Sequence, residues 1–384
     1  VKLLLPNIYA DKVVITAMSS EKTVVVAMSG GVDSSVAALL LKQQGYHCIG
    51  VTMKLWDYEL VGGKVNHESG CCSLDSINDA RMVCAQLDIP HYALNFSHDF
   101  HRDVVNNFID EYLAGRTPNP CVQCNIKIKW QTLIEKSNDL GADFIATGHY
   151  ARARFNPATK RYELLRGLDD KKDQTYALWG ISQQNLARTL FPLGEKTKPE
   201  VRELARQFGL RTADKSESME ICFVPDNNYQ RFLNQAVDGL EKRVANGQLV
   251  NIDGLEMGRH PGYPFFTIGQ RKGMGQGFGK PMYVVGLEAA ANRVIIGEEK
   301  DLYTDELTAG EVNFISISGA DGGVPAVVKI RYKDEGKPAT VYSLGNRRVK
   351  VVFDSPQKAV TPGQSAVFYD GDRVLGGGII EPKG

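Results

Sequence analysis

The sequence predicts an α/β protein with an N-terminal doubly wound parallel sheet, a small mixed central domain and a C-terminal β-barrel. Three observations predict it. From Thr23 to about His149, β-branched runs alternate with helical ones at a pitch suited to βαβ units. The stretch "VVVAMSGGVDSSVAALLL", Val24 to Leu41, passes from strand through two glycines straight into helix. After about Pro225 a mixed segment gives way to a Gly-rich tail of short strands and turns. The expected boundaries are a leader over 1–22, then domains over 23–222, 223–300 and 301–384, within a length of 384 residues that suits two or three cores.

The elements follow in order. "TVVVAMS" is the first strand, and Ser34 to Gln44 form a helix with Val36, Ala37, Leu40 and Leu41 on one face and Gly45 in the stop position. "HCIGVTMKLW" is the second strand, and the next helix spaces Ile77, Ala80, Cys84 and Leu87 by three and four. "HYALNFS" is a strand, followed by a helix that repeats Phe100, Val104, Phe108 and Tyr112 and closes at Gly115. "CNIKIKWQTLIEKSNDLG" is helical and "DFIATGH" is extended. "ARARFNPATKRYELLRG" reads as a hairpin over an Asn156-Pro157 turn. Two helices follow; the second opens on a capping box at Thr197–Glu200 and turns Val201, Leu204, Ala205 and Phe208 inward. "AVVKIRYK", "ATVYSLG", "RVKVVFD", "QSAVFYDGD" and "RVLGGGIIE" are the barrel strands.

Composition excludes several classes. Acidic and basic residues balance at 45 each, so a polyanion site has to be a local patch. No apolar run reaches the roughly 18 residues of a membrane span, so no membrane partner is expected. The opening "VKLLLPNIYADKVVITAMSS" lacks a long apolar core, carries an aspartate and has no arginine, which suits a strand-like or frayed leader better than a signal or transit peptide. Seven cysteines, an odd number, suit reduced thiols and a cytoplasmic location.

Ser29-Gly30-Gly31-Val32-Asp33-Ser34-Ser35 at a strand-to-helix junction puts backbone N–H groups and hydroxyls around an anion. A Walker loop would add a lysine for γ-phosphoryl transfer, and none follows these glycines. The pattern fits β- and γ-phosphates held as a leaving pyrophosphate, with Asp33 a candidate ligand for Mg²⁺. The plainer reading is a glycine turn with Ser34 capping the helix. The stretch is similar to the PP-loop of the ATP pyrophosphatase superfamily, whose members adenylate a carbonyl or carboxylate.

Cys121 and Cys124 lie in "GRTPNPCVQCNIKIKW" on a proline-bounded turn entering a helix, where the dipole, Lys127 and Lys129 favour a thiolate. Cys222 follows far along the chain in "SESMEICFVPD". Cys48 and Cys84 read as packed thiols, and Cys71-Cys72 with His67 as a surface loop or an incomplete metal site. The lone CxxC leaves zinc, redox, an iron–sulfur cluster and structure open, although a zinc ribbon wants a second pair. Together with the loop, "TPNPCVQCN", "ATGHYAR", "DDKKDQTYAL", "ICFVPD", "HPGYPFFTIGQRKGMG", "KIRYK" and "TPGQSAVFY" resemble the tRNA-specific 2-thiouridylases from about Thr23 to the C-terminus.

That resemblance implies an adenine nucleotide alpha hydrolase-like first domain and thiolation of the wobble uridine of tRNA at C2. It assigns Ala27, Met28, Ser29, Gly30, Gly31, Val32, Asp33, Ser34, Met53 and Gly148 to ATP. It makes Cys124 the nucleophile and Cys222 the persulfide carrier, with Asn119, Pro120 and Cys121 flanking the target base. His149, Lys172, Asp173, Gln174, Arg331, Tyr332 and Gln364 match tRNA-contacting positions. A cysteine desulfurase or a sulfur carrier protein is the implied donor. Some relatives carry aspartate where this chain has Cys121, so the acid–base role is unassigned and a cluster bound by Cys121, Cys124 and Cys222 stays open.

A tRNA partner needs local positive charge. Residues 152–172 hold seven basic side chains (Arg152, Arg154, Lys160, Arg161, Arg166, Lys171 and Lys172) against three acidic ones. Arg259, Arg271, Lys272, Lys329, Arg331 and Lys333 add charge downstream, which together suggests a cradle for an extended RNA. The rival readings are another PP-loop ligase or amidase on a small substrate, and a non-catalytic metal-bearing RNA-binding protein. The first needs no remote thiol pair; the second needs no complete phosphate loop.

Overall fold

The structure is a computed structural model that describes residues 22–56, 74–216, 221–275 and 277–383. The expected leader, apart from Lys22, lies outside the described residues, as do His67, Cys71 and Cys72. Among the described residues no helix is long and apolar enough to cross a membrane.

Five parallel strands form the first sheet: β1 (Thr23–Ala27), β2 (His47–Lys54), β3 (His91–Asn95), β4 (Phe144–Ala146) and β7 (Thr189–Leu190), in the order β3-β2-β1-β4-β7. Val24, Val25 and Val26 of central β1 are wholly buried because helices cover both faces. Helix α1 (Val32–Gln43) is buried almost all round, and α2 (Leu74–Gln86) lies beside it. Helix α3 spans residues 97–113 with a π-helical turn over His101–Val105, and it buries Phe100, Val104, Phe108 and Tyr112 as their four-residue spacing requires. Helix α4 spans residues 120–139. Helix α5 (Lys198–Gln207) starts on the expected capping box at Thr197 and Glu200. It ends before Phe208, so Val201 and Ala205 are buried while Phe208 stays exposed, contrary to expectation. The first of the two helices expected after the hairpin is only single turns at Thr175–Ala177 and Gln183–Leu186.

The hairpin itself, β5 (Ala151–Asn156) with β6 (Arg161–Arg166), joins a different sheet. In the tail β12 (Tyr303–Phe314), β13 (Val324–Lys329), β14 (Lys337–Gly345), β15 (Arg348–Lys358), β16 (Ser365–Asp370) and β17 (Arg373–Ile380) close a six-stranded barrel through the β12–β17 pair. β6 adds to β17 at the barrel's rim. Arg161 fastens it there, donating to the carbonyls of Ile315 (2.8 Å) and Phe314 (2.9 Å).

Between the two bodies lies a four-stranded sheet of β8 (Gly247–Asn251), β9 (Glu256–His260), β10 (Tyr283–Glu288) and β11 (Arg293–Gly297), in the order β10-β11-β8-β9. Helices α6 (Tyr229–Ala236) and α7 (Leu240–Val244) precede it. The Tyr229 ring stacks on Tyr112 at 4.7 Å, and the Tyr263 hydroxyl donates to the Leu113 carbonyl at 2.6 Å. The central domain thus grips the end of α3.

Candidate active site

The glycine loop forms at the C-terminal edge of β1, where a doubly wound sheet binds its ligands. Gly30 has φ +70°, and a Cβ there would sit 2.1 Å from the Ser76 carbonyl oxygen, so no other residue fits. Helix α1 starts at Val32 with Gly31 as its cap, two residues earlier than expected. Ser34 therefore lies inside the first turn rather than capping it. Its hydroxyl accepts from the Ser29 backbone N–H and donates to the Gly31 carbonyl, and the Ser35 hydroxyl donates to that same carbonyl at 2.8 Å. Gly148, just past β4, crosses close above: a Cβ would come within 2.8 Å of the Asp33 and Ser34 backbone. Ala27 and Met28 are buried beneath the loop and Met53 is half-buried at the end of β2.

Two lysines embrace this loop, and neither was legible as a site residue in the sequence. Lys198, nearly buried, donates to both carboxylate oxygens of Asp33 at 2.7 and 2.8 Å. The Tyr150 hydroxyl donates to the same carboxylate at 2.9 Å. Lys215 donates to the Gly30 carbonyl (3.0 Å) and to Asp79 (2.7 Å). Lys198 and Tyr150 together place three hydrogen bonds on the Asp33 carboxylate. Nothing local marks these lysines; α5 and the residues after it bring them back onto α1. A cleft of about 1000 Å³ opens beside Lys198, lined also by Lys171, Lys172, Lys196, Arg202 and Arg206, and the glycine loop is not part of its wall.

Helix α4 carries the candidate nucleophile. Its cap is Asn119, whose side-chain oxygen accepts from the Val122 N–H at 3.3 Å, and Pro120 takes the first helical position. Cys121 is then exposed in the first turn and Cys124 is half-buried one turn on. Asn125 and Trp130 anchor the helix below, donating to the Ala177 carbonyl and the Thr189 hydroxyl, both at 2.8 Å. The turn before Asn119 is clamped by the barrel. Gln364 donates to the carbonyls of Thr117 (2.9 Å) and Pro118 (3.1 Å), and the Thr117 N–H donates to the Pro362 carbonyl at 2.8 Å. Gly363, at φ +90°, lies so close that a Cβ would meet the Thr117 backbone at 2.8 Å.

Cys222 is a half-buried thiol. Its neighbour Phe223 is fixed against Phe100 (5.7 Å) and Phe108 (5.2 Å) of α3, and both Cys124 and Cys222 pack on the edge of the same apolar core. Among the described residues no group of three or more His, Cys, Asp or Glu is arranged to hold a metal ion. Cys48 and Cys84 are buried, which pushes their thiols up to about 11 and about 12 and keeps them protonated.

His149 bonds Thr147 through Nδ1 (2.8 Å) and approaches Lys129 through Nε2 (3.4 Å). Burial first, and the Lys129 charge second, hold it well below the usual imidazole value, so it is neutral at pH 7. Gln174 accepts from the Tyr150 N–H, and Asp173 accepts from Gly167 and Thr175; burial raises the Asp173 carboxyl. Lys172 is half-buried at the cleft, while Arg331 and Tyr332 are exposed, the Tyr332 hydroxyl donating to the Asp173 carbonyl at 3.3 Å.

The basic run expected to face RNA also makes contacts within the fold. Arg152 bonds the Arg166 carbonyl and Asp372, Arg154 bonds Glu163, and Arg161 bonds the barrel. The Arg166 guanidinium stacks 4.4 Å over Tyr369. Arg152, Arg161 and Arg166 therefore dock the hairpin on the barrel, while Arg154 pairs within the hairpin.

Family comparison divides the chain in three. Residues 22–226 match the tRNA methyl transferase HUP domain, 230–298 the tRNA methyl transferase PRC-barrel domain and 304–380 the Aminomethyltransferase beta-barrel domain. The tRNA-specific 2-thiouridylase MnmA of Salinibacter ruber is 49% identical over 368 residues, 96% of each chain. This chain belongs to the tRNA-specific 2-thiouridylase family. Thiouridylases of the same name from Carboxydothermus hydrogenoformans (50% identical, 94% of this chain and 98% of theirs) and Amoebophilus asiaticus (51%, 93% and 95%) match as fully. Membership in this thiouridylase family agrees with the resemblance carried by the loop and the cysteine segments.

Proposed function

We propose that the chain is an ATP-dependent tRNA 2-thiouridylase whose relay runs between Cys222 and Cys124. The observation that carries this reading is a lysine-flanked phosphate loop in the same α/β domain as two thiols that share one apolar core. The C2 oxygen of uracil is a poor leaving group. It attacks the α-phosphorus of ATP, pyrophosphate departs, and C2 then carries an AMP ester that can leave. A persulfide on Cys222, charged by a cysteine desulfurase or a sulfur carrier, supplies the sulfur. Cys124 thiolate attacks the Cys222 sulfur, forming a Cys124–Cys222 disulfide and freeing the outer sulfur, as hydrosulfide or already on C2, while AMP departs. An external thiol reduces the disulfide.

Neutral His149, at the end of β4, suits a hydrogen bond to an extruded base, and Arg331 and Tyr332 suit the RNA backbone. Asn119, Pro120 and Cys121 would flank that base, and Gln364 would support them from the barrel. An ATP-dependent sulfur-transfer assay on unmodified tRNA tests the relay. Cys124→Ser and Cys222→Ser should each abolish thiolation and keep ATP binding; full activity in either removes it. Cys121→Asp should retain activity, as expected if Cys121 only occupies the acid–base position.

A further inference from the structure

Arg166 and Lys329 are cations from distant parts of the chain that meet at one aromatic ring. Arg166 ends β6 of the hairpin and Lys329 ends β13 of the barrel. The guanidinium lies 4.4 Å and the ammonium 5.9 Å from the centre of the Tyr369 ring in β16. Strand register places the lysine: Val327 pairs with Tyr369 and Lys329 with Val367, so Lys329 and Tyr369 are diagonal neighbours on one face. Two half-buried like charges repel unless a negative group joins them. Among the described residues neither head group has a hydrogen bond or an ion pair, and Arg166 Nε is buried without a partner. The nearby carboxylates are bonded elsewhere. Asp173 accepts from the Gly167 and Thr175 N–H groups and the Thr175 hydroxyl, and Asp334 from the Ile330 N–H and the Gln357 amide. Burial first, and the Arg166 charge second, lower the Lys329 ammonium against the opposing pull of Asp173, Asp334 and Asp170.

We propose that Arg166 and Lys329 together clamp one phosphodiester of the bound RNA at the seam between the hairpin and the barrel. Stacking on Tyr369 holds the guanidinium flat, so its terminal N–H donors are oriented before the phosphate arrives. Lys329 adds a point charge to the same phosphate. Residues already given to RNA lie alongside: the Tyr332 hydroxyl donates to the Asp173 carbonyl, and the Tyr332 ring lies 6.2 Å from that of Tyr176. A phosphate held there bonds at once to the segments 22–226 and 304–380, which fixes the RNA across their junction. The clamp rests on the proposed tRNA reading, yet the two fail differently.

Equilibrium titration of the full chain with unmodified tRNA, and separately with ATP, tells them apart. Lys329→Gln should weaken tRNA about 3- to 10-fold at about 0.1 M salt, with the loss shrinking as salt rises. ATP affinity should stay within about 2-fold, and Lys329→Arg should restore most of the tRNA affinity. An unchanged tRNA affinity overturns the clamp, as does an equal loss for ATP, which would mark a structural lysine or one that serves the nucleotide. A double-mutant cycle with Arg166→Gln tests the sharing. The double variant should lose less than the product of the two single losses, because one phosphate serves both cations. A full product would assign them to separate phosphates and overturn the shared clamp. Arg166 also docks the hairpin, so Lys329→Gln alone decides the question if Arg166→Gln does not fold. Unaltered protein that binds ATP but no tRNA overturns the tRNA reading itself.

Discussion

At the residue scale, the five described cysteines divide by environment. Cys48 and Cys84 are held protonated by burial, Cys121 is exposed, and Cys124 and Cys222 lie at the edge of the core. Iodoacetamide at pH 8 should alkylate Cys121 first and leave Cys48 and Cys84 unmodified in the native protein, read by peptide mass spectrometry; early loss of either buried thiol contradicts this ordering. His149 makes a pH prediction. Its folded value lies well below the roughly 6.5 of an unfolded imidazole, so the unfolded chain binds the extra proton first as pH falls. Stability present above about pH 6.5 is therefore lost on acidification below it. His149→Gln should flatten that slope in urea denaturation stepped from pH 7 to 5, and an unchanged slope contradicts a neutral His149. Cys124 and Cys222 were legible as candidates through the family resemblance of the segments that carry them. Lys198 and Tyr150 were not, because their meaning comes from a partner more than a hundred residues away.

At the scale of elements, the helices with strong periodicity form as the sequence requires. The exceptions have physical causes. β7 is two residues long, too short to show alternation, and α5 releases Phe208 because its last turn ends first. The loop elements carry the sharper predictions. Gly30→Ala combines a left-handed φ with a clash against the Ser76 backbone, so it should cost about 2 kcal/mol or more and abolish nucleotide binding. Gly363→Ala should push the barrel loop off Thr117, lowering thiolation while ATP affinity holds, because the clamp touches the turn before Asn119 and not the phosphate loop. Equal loss of both functions in Gly363→Ala would mean that the clamp serves general folding.

The whole molecule converges on residues 113–119. Tyr263 of the central domain holds the Leu113 carbonyl, and Gln364, Pro362 and Gly363 of the barrel hold Thr117 and Pro118. Both accessory bodies therefore brace the segment that leads into the helix carrying Cys124. Tertiary pairing of this kind leaves no local pattern, which is why the hairpin's union with the barrel and the use of its arginines in docking were absent from the sequence reading. Removing Arg161 should cost about 1–3 kcal/mol in urea unfolding, since it bonds two barrel carbonyls. The most direct test of the proposed chemistry is a single turnover: full-length protein carrying the Cys222 persulfide, mixed with ATP and unmodified tRNA and analysed by mass spectrometry. The relay predicts one AMP and one pyrophosphate per 2-thiouridine, with the Cys124 and Cys222 peptides joined by a disulfide. Thiolated tRNA formed while both thiols stay unlinked would contradict it.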